Sequence, residues 1–542
     1  LYYKDGGTII GTQIENEHQH SAAPWGITYP GEPKDMTSAT YDANITMIGV
    51  SVQDKKITTA DLGDLHMKTL KKMVEEAGIQ TPLYTATGWG NAAVIGEEAI
   101  PVTAAYTYPF WAKPGMSPFC MFKDIQKNPD YAPVRYDTEK YPSFCAEMGV
   151  GIQMIYTRRP IVTAKAAEAL MVRTLGSGAN GIGYYMYHGG STPKMGPTAF
   201  FSDEPMGMPK ISYDFQAPLG EFGLEHGSYR ALRLLHLFLN DFSSQLAPME
   251  TVLPKGYEQM TPDNRETLRY AARVKGKSGF VFMVNFQDHD TARVDQKDLC
   301  LRLKFANETL RIPSHGTFTL PKDESLILPF NFQMEDALLK YATAQLLLKL
   351  DDKGMDHYFF FVPEDIRPEF VFDKTTVVGK HCYVPEAGRV RLLNMGDPMF
   401  RYVEYPSAKG FKVQMKEVPS VQPEYTFRKV GSRRLAVRFS GKEYPQVNDY
   451  FLRLDYTGDV AMAFLKGELV LDHFYYGAPW QISLKRFQQE LTDEELSFYI
   501  RPLRKNAPFL SDLPGEAVPD FSKGSVVRVD SVQVVPQYVT TL

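Results

Sequence analysis

Gly6-Gly7-Thr8-Ile9-Ile10-Gly11-Thr12-Gln13-Ile14-Glu15-Asn16-Glu17 is an apolar, β-branched run that ends in an amide set between two carboxylates. Such a run reads as a strand. Chemistry-bearing side chains gathered at the far end of a strand are what a (β/α)8 barrel presents on its rim, because active sites there lie at the C-terminal ends of the strands. The same residues also fit a buried strand running into an ordinary acidic loop. The later segments of the chain decide between the two.

The next segments alternate between helical and extended patterns. Asp64–Gly78 carries Leu65, Met73, Val74 and Ala77 near helical spacing and stops at a glycine. Ile79–Thr85 reads as a short strand leading to a glycine-rich tip that holds Trp89, and Ile100–Tyr106 as another, ending among Tyr106, Tyr108, Phe110 and Trp111. Tyr141–Ala146 leads into Glu147, Ala164–Leu175 has helical composition, and Ile182–Tyr187 reads as a strand that ends at His188. Gly227–Phe242 then places Tyr229, Leu232, Leu235, Leu239 and Phe242 on one helical face. This is the rhythm of βα units.

From about Leu246 helical signals fade. Short β-rich segments such as Gly279–Asn285, Leu326–Phe332 and Tyr358–Val362 come next, while Ala337–Leu350 suits helix or strand equally. Beyond about Arg434, Tyr450–Asp455, Val460–Leu465 and Glu468–Asp472 alternate cleanly around two turns, as in a sandwich or jelly roll. The expected class is therefore α/β plus all-β: part of a barrel, then β-sandwich and jelly-roll domains.

Composition narrows the function. The 542 residues carry a net charge of only −5 and no basic run, which argues against an electrostatic nucleic-acid interface. No stretch approaches the roughly 20 apolar residues of a membrane-spanning helix. Cys120, Cys145, Cys300 and Cys382 lack CxxC spacing, so free thiols are expected, although Cys120 and Cys145 could pair. His18, His20 and His188 fall near strand ends, where hydrogen-bonding histidines are expected rather than metal ligands. No cofactor and no metal are called for.

Two acid-bearing strand ends, Glu15/Glu17 and Glu147, could supply the carboxyl pair of a glycosidase, since a barrel rim gathers residues distant in sequence. Residue pattern alone does not choose between Glu15 and Glu17, which alternation places on one face. The run at residues 6–17 resembles the acid/base strand of glycoside hydrolase family 35, the β-galactosidase family. Similar in the same order are Pro82–Ala86, Ala146-Glu147, Tyr185–Gly190, Ser212–Leu219 with Glu221 and Gly223, and later Tyr456–Ala461. The resemblance implies Glu17 as general acid/base and Glu147 as nucleophile, with double displacement and retention. It implies Asn16 on the sugar 2-hydroxyl, and Tyr84, Trp89, Tyr187, His188, Tyr213 and Phe215 as substrate contacts.

The sequence also departs from the family pattern. Ile152 stands where an aromatic run usually places Trp. Phe215 and Gln216 replace a tyrosine and an aspartate, and Ser191-Thr192 follow Gly189-Gly190. The favoured activity is thus an exo-acting β-galactosidase. The rivals are a clan A glycosidase with another sugar preference and a non-catalytic carbohydrate-binding relative. The resemblance implies barrel strands four to eight within residues 1–245, β-sandwich domains over 246–425 and a galactose-binding-like jelly roll over 426–542. It further implies that strands one to three belong to a missing N-terminal portion, here an expected partner besides a carbohydrate substrate. A secreted or periplasmic location rests on the same likeness.

Overall fold

The structure, a computed structural model, describes residues 1–16, 59–86, 100–109, 114–128, 137–195, 199–200, 207–335, 337–352, 354–363, 366–373, 376–377, 391–407 and 410–541. Five strands, β1 (Thr12–Asn16), β2 (Leu83–Ala86), β3 (Ile100–Tyr106), β4 (Phe144–Gly149) and β5 (Gly181–Tyr184), form one sheet in chain order. Every neighbouring pair is parallel. Parallel neighbours require crossovers, and two are helical: α1 (Thr59–Glu76) between β1 and β2, and α2 (Ala164–Gly176) between β4 and β5. Ile14 of β1 packs on Met67 of α1.

The α2 sequence, rich in Ala and Leu, favours helix, and the Thr163 hydroxyl caps it by accepting from the Ala166 N–H at 3.1 Å. Every residue from Ala169 to Gly176 is buried, because α2 lies between the parallel sheet and a second, antiparallel one. That second sheet has seven strands, with Ser278–Val284 and Ser325–Met334 at its centre. The long helix α3 (Gly227–Leu246) buries Leu232, Leu235, Phe238 and Phe242 in the same core, with Phe238 edge-on to Phe280 at 5.2 Å.

Arg273 joins these layers. Its guanidinium donates to the carbonyls of Leu175, Ala179, Leu246, Ala247 and Met249, at the C-terminal ends of α2 and α3. A cation suits two helix C-termini at once, and burial lowers its pKa only to about 10, so it stays charged. Arg273→Met should destabilise the chain by roughly 2–4 kcal/mol, since several buried carbonyls lose their donor; a urea midpoint unchanged from the wild type would refute this role.

The last part is two antiparallel sheets face to face. One orders Arg391–Met395, Arg528–Thr541, Val447–Thr457 and Trp480–Ser483. The other orders Glu424–Lys429, Arg434–Ser440, Leu496–Ile500, Val460–Leu465 and Glu468–Phe474. Their inward residues, among them Leu452, Leu454, Ala461, Leu471, Ile482 and Phe498, form a separate core. The all-β expectation fits.

Several local readings change. Ala337–Leu350 is two strands, Ala337–Ala342 and Gln345–Asp352, in different pairings. The strand expected over Ile182–Tyr187 ends at Tyr184, because the chain then turns to pair with Leu219: Gly189 donates to the Leu219 carbonyl, and Leu219 to that of Tyr187. Cys120 and Cys145 are both buried. Among the described residues no helix is long and apolar enough to cross a membrane.

Candidate active site

Strands β1 and β4 are both bulged at their C-terminal ends. On β4, Thr103 faces Cys145 but Ala104 faces Glu147, so Ala146 is an extra residue just before the carboxylate. On β1, Gln13 faces Tyr84 and Asn16 faces Ala86, again one residue too many. Glu15 sits in that bulge with φ 69°. Bulges re-aim side chains and are frequent beside active sites. The left-handed residue interrupts the simple alternation of the strand at Glu15. Glu17 itself lies outside the described residues, as do Trp89, Trp111, His18 and His20. Asn16 is the last residue of β1.

The Glu147 carboxylate is half-buried and held from the neighbouring strand end. The hydroxyl of Tyr106, the last residue of β3, donates to Glu147 Oε1 at 2.6 Å. The tyrosine is 2% exposed, so its ring is fixed by packing rather than by solvent contacts. Gly149 makes room for it: a Cβ there would lie 1.9 Å from the Tyr106 ring. A hydrogen bond to a charged group is worth about 1.5–3 kcal/mol. Tyr106→Phe should accordingly lower kcat/KM by about 10- to 100-fold, and Gly149→Ala should act in the same direction by displacing the ring. Activities of both variants equal to the wild type would show that Tyr106 does not position Glu147. Sequence reading placed Tyr106 only at a strand end among other aromatic residues. Its bond to a residue 41 positions away leaves no local signal.

The remaining aromatic residues divide into two groups. Tyr185, whose N–H donates to the Met148 carbonyl at 3.2 Å beside Glu147, meets the Tyr213 hydroxyl at 2.8 Å and stands edge-on to Phe215 at 5.2 Å. Tyr213 and Phe215 thus stay with the Glu147 strand end. Tyr187, expected with them, instead packs among Tyr184, Tyr229 and His236 on the α3 side. His188 is exposed, with Nδ1 against the Gly189 carbonyl. Tyr84 stands edge-on to Phe144 at 5.8 Å, near the start of β4 rather than its end.

The unusual residues have structural explanations. Ile152 is fully buried, and its N–H donates to the Phe215 carbonyl at 2.8 Å. The segments meet so closely that a Cβ on Gly151 would lie 2.2 Å from that carbonyl oxygen. Gln216 accepts from the Val162 N–H at 3.1 Å and donates to the Pro160 carbonyl at 2.8 Å. An aspartate carboxylate could not make the second bond, as it has no N–H. Gln216 thus ties the segment after β4 to the Tyr213 loop. Among the described residues no group of His, Cys, Asp or Glu gathers at metal-binding range.

Residues 1–239 match the family model of glycosyl hydrolases family 35. Over this region the chain is similar to that family. No curated protein matches it. Among solved structures, the chain is similar to a rhamnosidase from Novosphingobium sp. PP1Y at 10% identity and a TM-score of 0.21, covering 89% of this chain and 56% of that one. It is also similar to a GH31 alpha-xylosidase from Xanthomonas citri at 11% identity and a TM-score of 0.09, covering 54% and 38%. The chain thus spans just over half the length of the rhamnosidase. At these TM-scores neither likeness bears on its fold or substrate.

Proposed function

We propose that the chain is the catalytic and C-terminal part of a retaining, exo-acting β-galactosidase that removes terminal galactose from oligo- or polysaccharides. The observation that carries this reading is the Glu147 carboxylate, bulged out of the end of β4 and held by the Tyr106 hydroxyl at 2.6 Å, within the region similar to family 35. In the first step Glu147 attacks the anomeric carbon and forms a glycosyl ester. Glu17 gives its proton to the departing oxygen. Glu17 then takes a proton from water, which displaces Glu147 and restores the β configuration. The Tyr106 bond holds the nucleophile oriented for attack. Asn16, preceding Glu17, is the proposed partner of the 2-hydroxyl, and Tyr213 and Phe215 are the proposed aromatic contacts. Tyr84, Tyr187, His188 and Trp89 remain proposed contacts on the resemblance alone.

The same reading makes β1–β5 the fourth to eighth strands of a (β/α)8 barrel, within residues 1–245. The two β domains would follow over 246–425 and 426–542. In support, the five strands are parallel and in order, and among the described residues β1 pairs on one side only. An open strand edge invites pairing, so further barrel strands from a preceding or separate segment would dock there.

A second reading, a clan A glycosidase for another sugar, is favoured by Phe215, which lacks the hydroxyl of the family tyrosine beside Tyr185. Aryl β-glycosides of several sugars, tested with wild type and Glu147→Gln, separate the readings. Preferred turnover of the galactoside, lost in Glu147→Gln, is expected. Another preferred sugar favours the second reading, and no turnover of any sugar by the wild type refutes both.

A further inference from the structure

A cleft lies between the loop that carries Tyr213 and Phe215 and the C-terminal sandwich. On one side its walls are Tyr213, Asp214, Phe215 and Glu221; on the other they are Tyr476 and Gln481. We infer that this cleft binds a neutral sugar ring of the substrate chain other than the one cleaved, with the C-terminal domain supplying Tyr476 and Gln481 to hold it. The inference rests on the glycosidase reading and extends it to the leaving-group side of the substrate.

Four observations carry it. First, two walls of the cleft are linked by contacts to the Glu147 strand end. Tyr213 and Phe215 line the cleft, and both touch Tyr185, which is bonded to the carbonyl next to Glu147. Second, its walls are fixed relative to each other. Asp472 of the sandwich accepts the N–H groups of Lys210, Ile211 and Ser212, just before the Tyr213 loop. Such a preformed site loses little entropy on binding.

Third, the lining combines aromatic faces with amide and carboxyl groups, the combination that suits a polyol ring with apolar faces and hydroxyl edges. Gln481 is exposed on Trp480–Ser483, a strand whose other residues are buried, so its side chain serves no core. Fourth, the walls carry little charge. Burial pushes Glu221 up to about 7 and His473 down to about 3, leaving the histidine neutral and the acid largely protonated in mildly acidic solution. Both Asp214 oxygens accept backbone N–H groups, from Glu221 at 2.7 Å and Gln216 at 3.2 Å.

The test uses the full chain and two substrates, an aryl β-galactoside with no second sugar and β-1,4-galactotetraose. Gln481→Trp fills the cleft from an exposed position, and Tyr476→Phe removes one hydroxyl. For Gln481→Trp the ratio of kcat/KM on the tetraose to that on the aryl substrate should fall about tenfold, mainly through KM, with a smaller fall for Tyr476→Phe. Binding of the tetraose to Glu147→Gln, measured by calorimetry, should weaken to the same extent when Gln481→Trp is added. An unchanged ratio together with unchanged binding overturns the inference. If the wild type cleaves neither substrate, the glycosidase reading fails, and the calorimetric comparison still decides whether the cleft binds the sugar.

Discussion

Glu147→Gln is expected to lower kcat on an aryl β-galactoside by on the order of 10⁴-fold or more, because an amide cannot form the glycosyl ester through which double displacement runs. The fold should survive the change. Glu147 is half-buried at a strand end, and glutamine keeps an acceptor for the Tyr106 hydroxyl. Circular dichroism and the urea midpoint should therefore match the wild type while activity is lost. A shorter substitution goes further. Glu147→Gly would leave space on the face of the sugar opposite the leaving group, so added azide should restore turnover of an activated aryl galactoside. The product should be the α-glycosyl azide, as a single displacement inverts the anomeric carbon. A β-azide, or full activity of Glu147→Gln, would remove Glu147 from the nucleophile's role.

Asp459→Ala should cost about 3–5 kcal/mol, the range for breaking a buried ion pair by deleting one partner. Asp459 lies in the C-terminal sandwich, and its carboxylate receives Arg159 Nη2 at 2.7 Å, Arg501 Nη2 at 2.7 Å and the Tyr156 hydroxyl at 3.0 Å. Arg159 is fully buried, with its guanidinium 3.4 Å from the Phe509 ring centroid and Nη1 on the carbonyls of Asp459 and Tyr475. Burial lowers its pKa, and Asp459 opposes that shift. Without the carboxylate, a buried cation is left on carbonyls and rings alone. Arg501→Met should cost far less, about 0–1 kcal/mol, because that side chain is 46% exposed. Urea unfolding of the two variants checks the contrast; equal midpoints would show that Asp459 is not the fastening between the two parts of the chain.

Local patterns were legible wherever a segment's own residues decide its conformation. Ile100–Tyr106 and Val460–Leu465 are strands over the residues their sequence suggests, and α2 begins at Ala164, right after a threonine cap. Legibility ended where distant contacts decide. Tyr185 reads as a continuing strand residue, yet the chain leaves the sheet there to pair with Leu219. The bulges at Ala146 and Glu15 have no signature in a chain read by alternation, since only the register with β3 or β2 defines them. The carboxylates that pair with Arg158 and Arg159, Asp512 and Asp459, lie at least 300 residues away, so no local pattern marks them. The candidate site divides in the same way: the sequence marks Glu147 as a strand-end acid, whereas Tyr106 as its hydrogen-bond partner and the turn of Tyr187 toward α3 required the packed structure.

The central claim is that Glu147 becomes covalently bonded to the sugar. Incubating the full chain with 2-deoxy-2-fluoro-β-D-galactosyl fluoride, which forms the ester and releases it slowly, followed by proteolysis and mass mapping, tests it directly. The account predicts one fluorosugar adduct, on the peptide that contains Glu147, with activity lost in proportion to labelling. An adduct on any other carboxylate, or inactivation with none at Glu147, would contradict it.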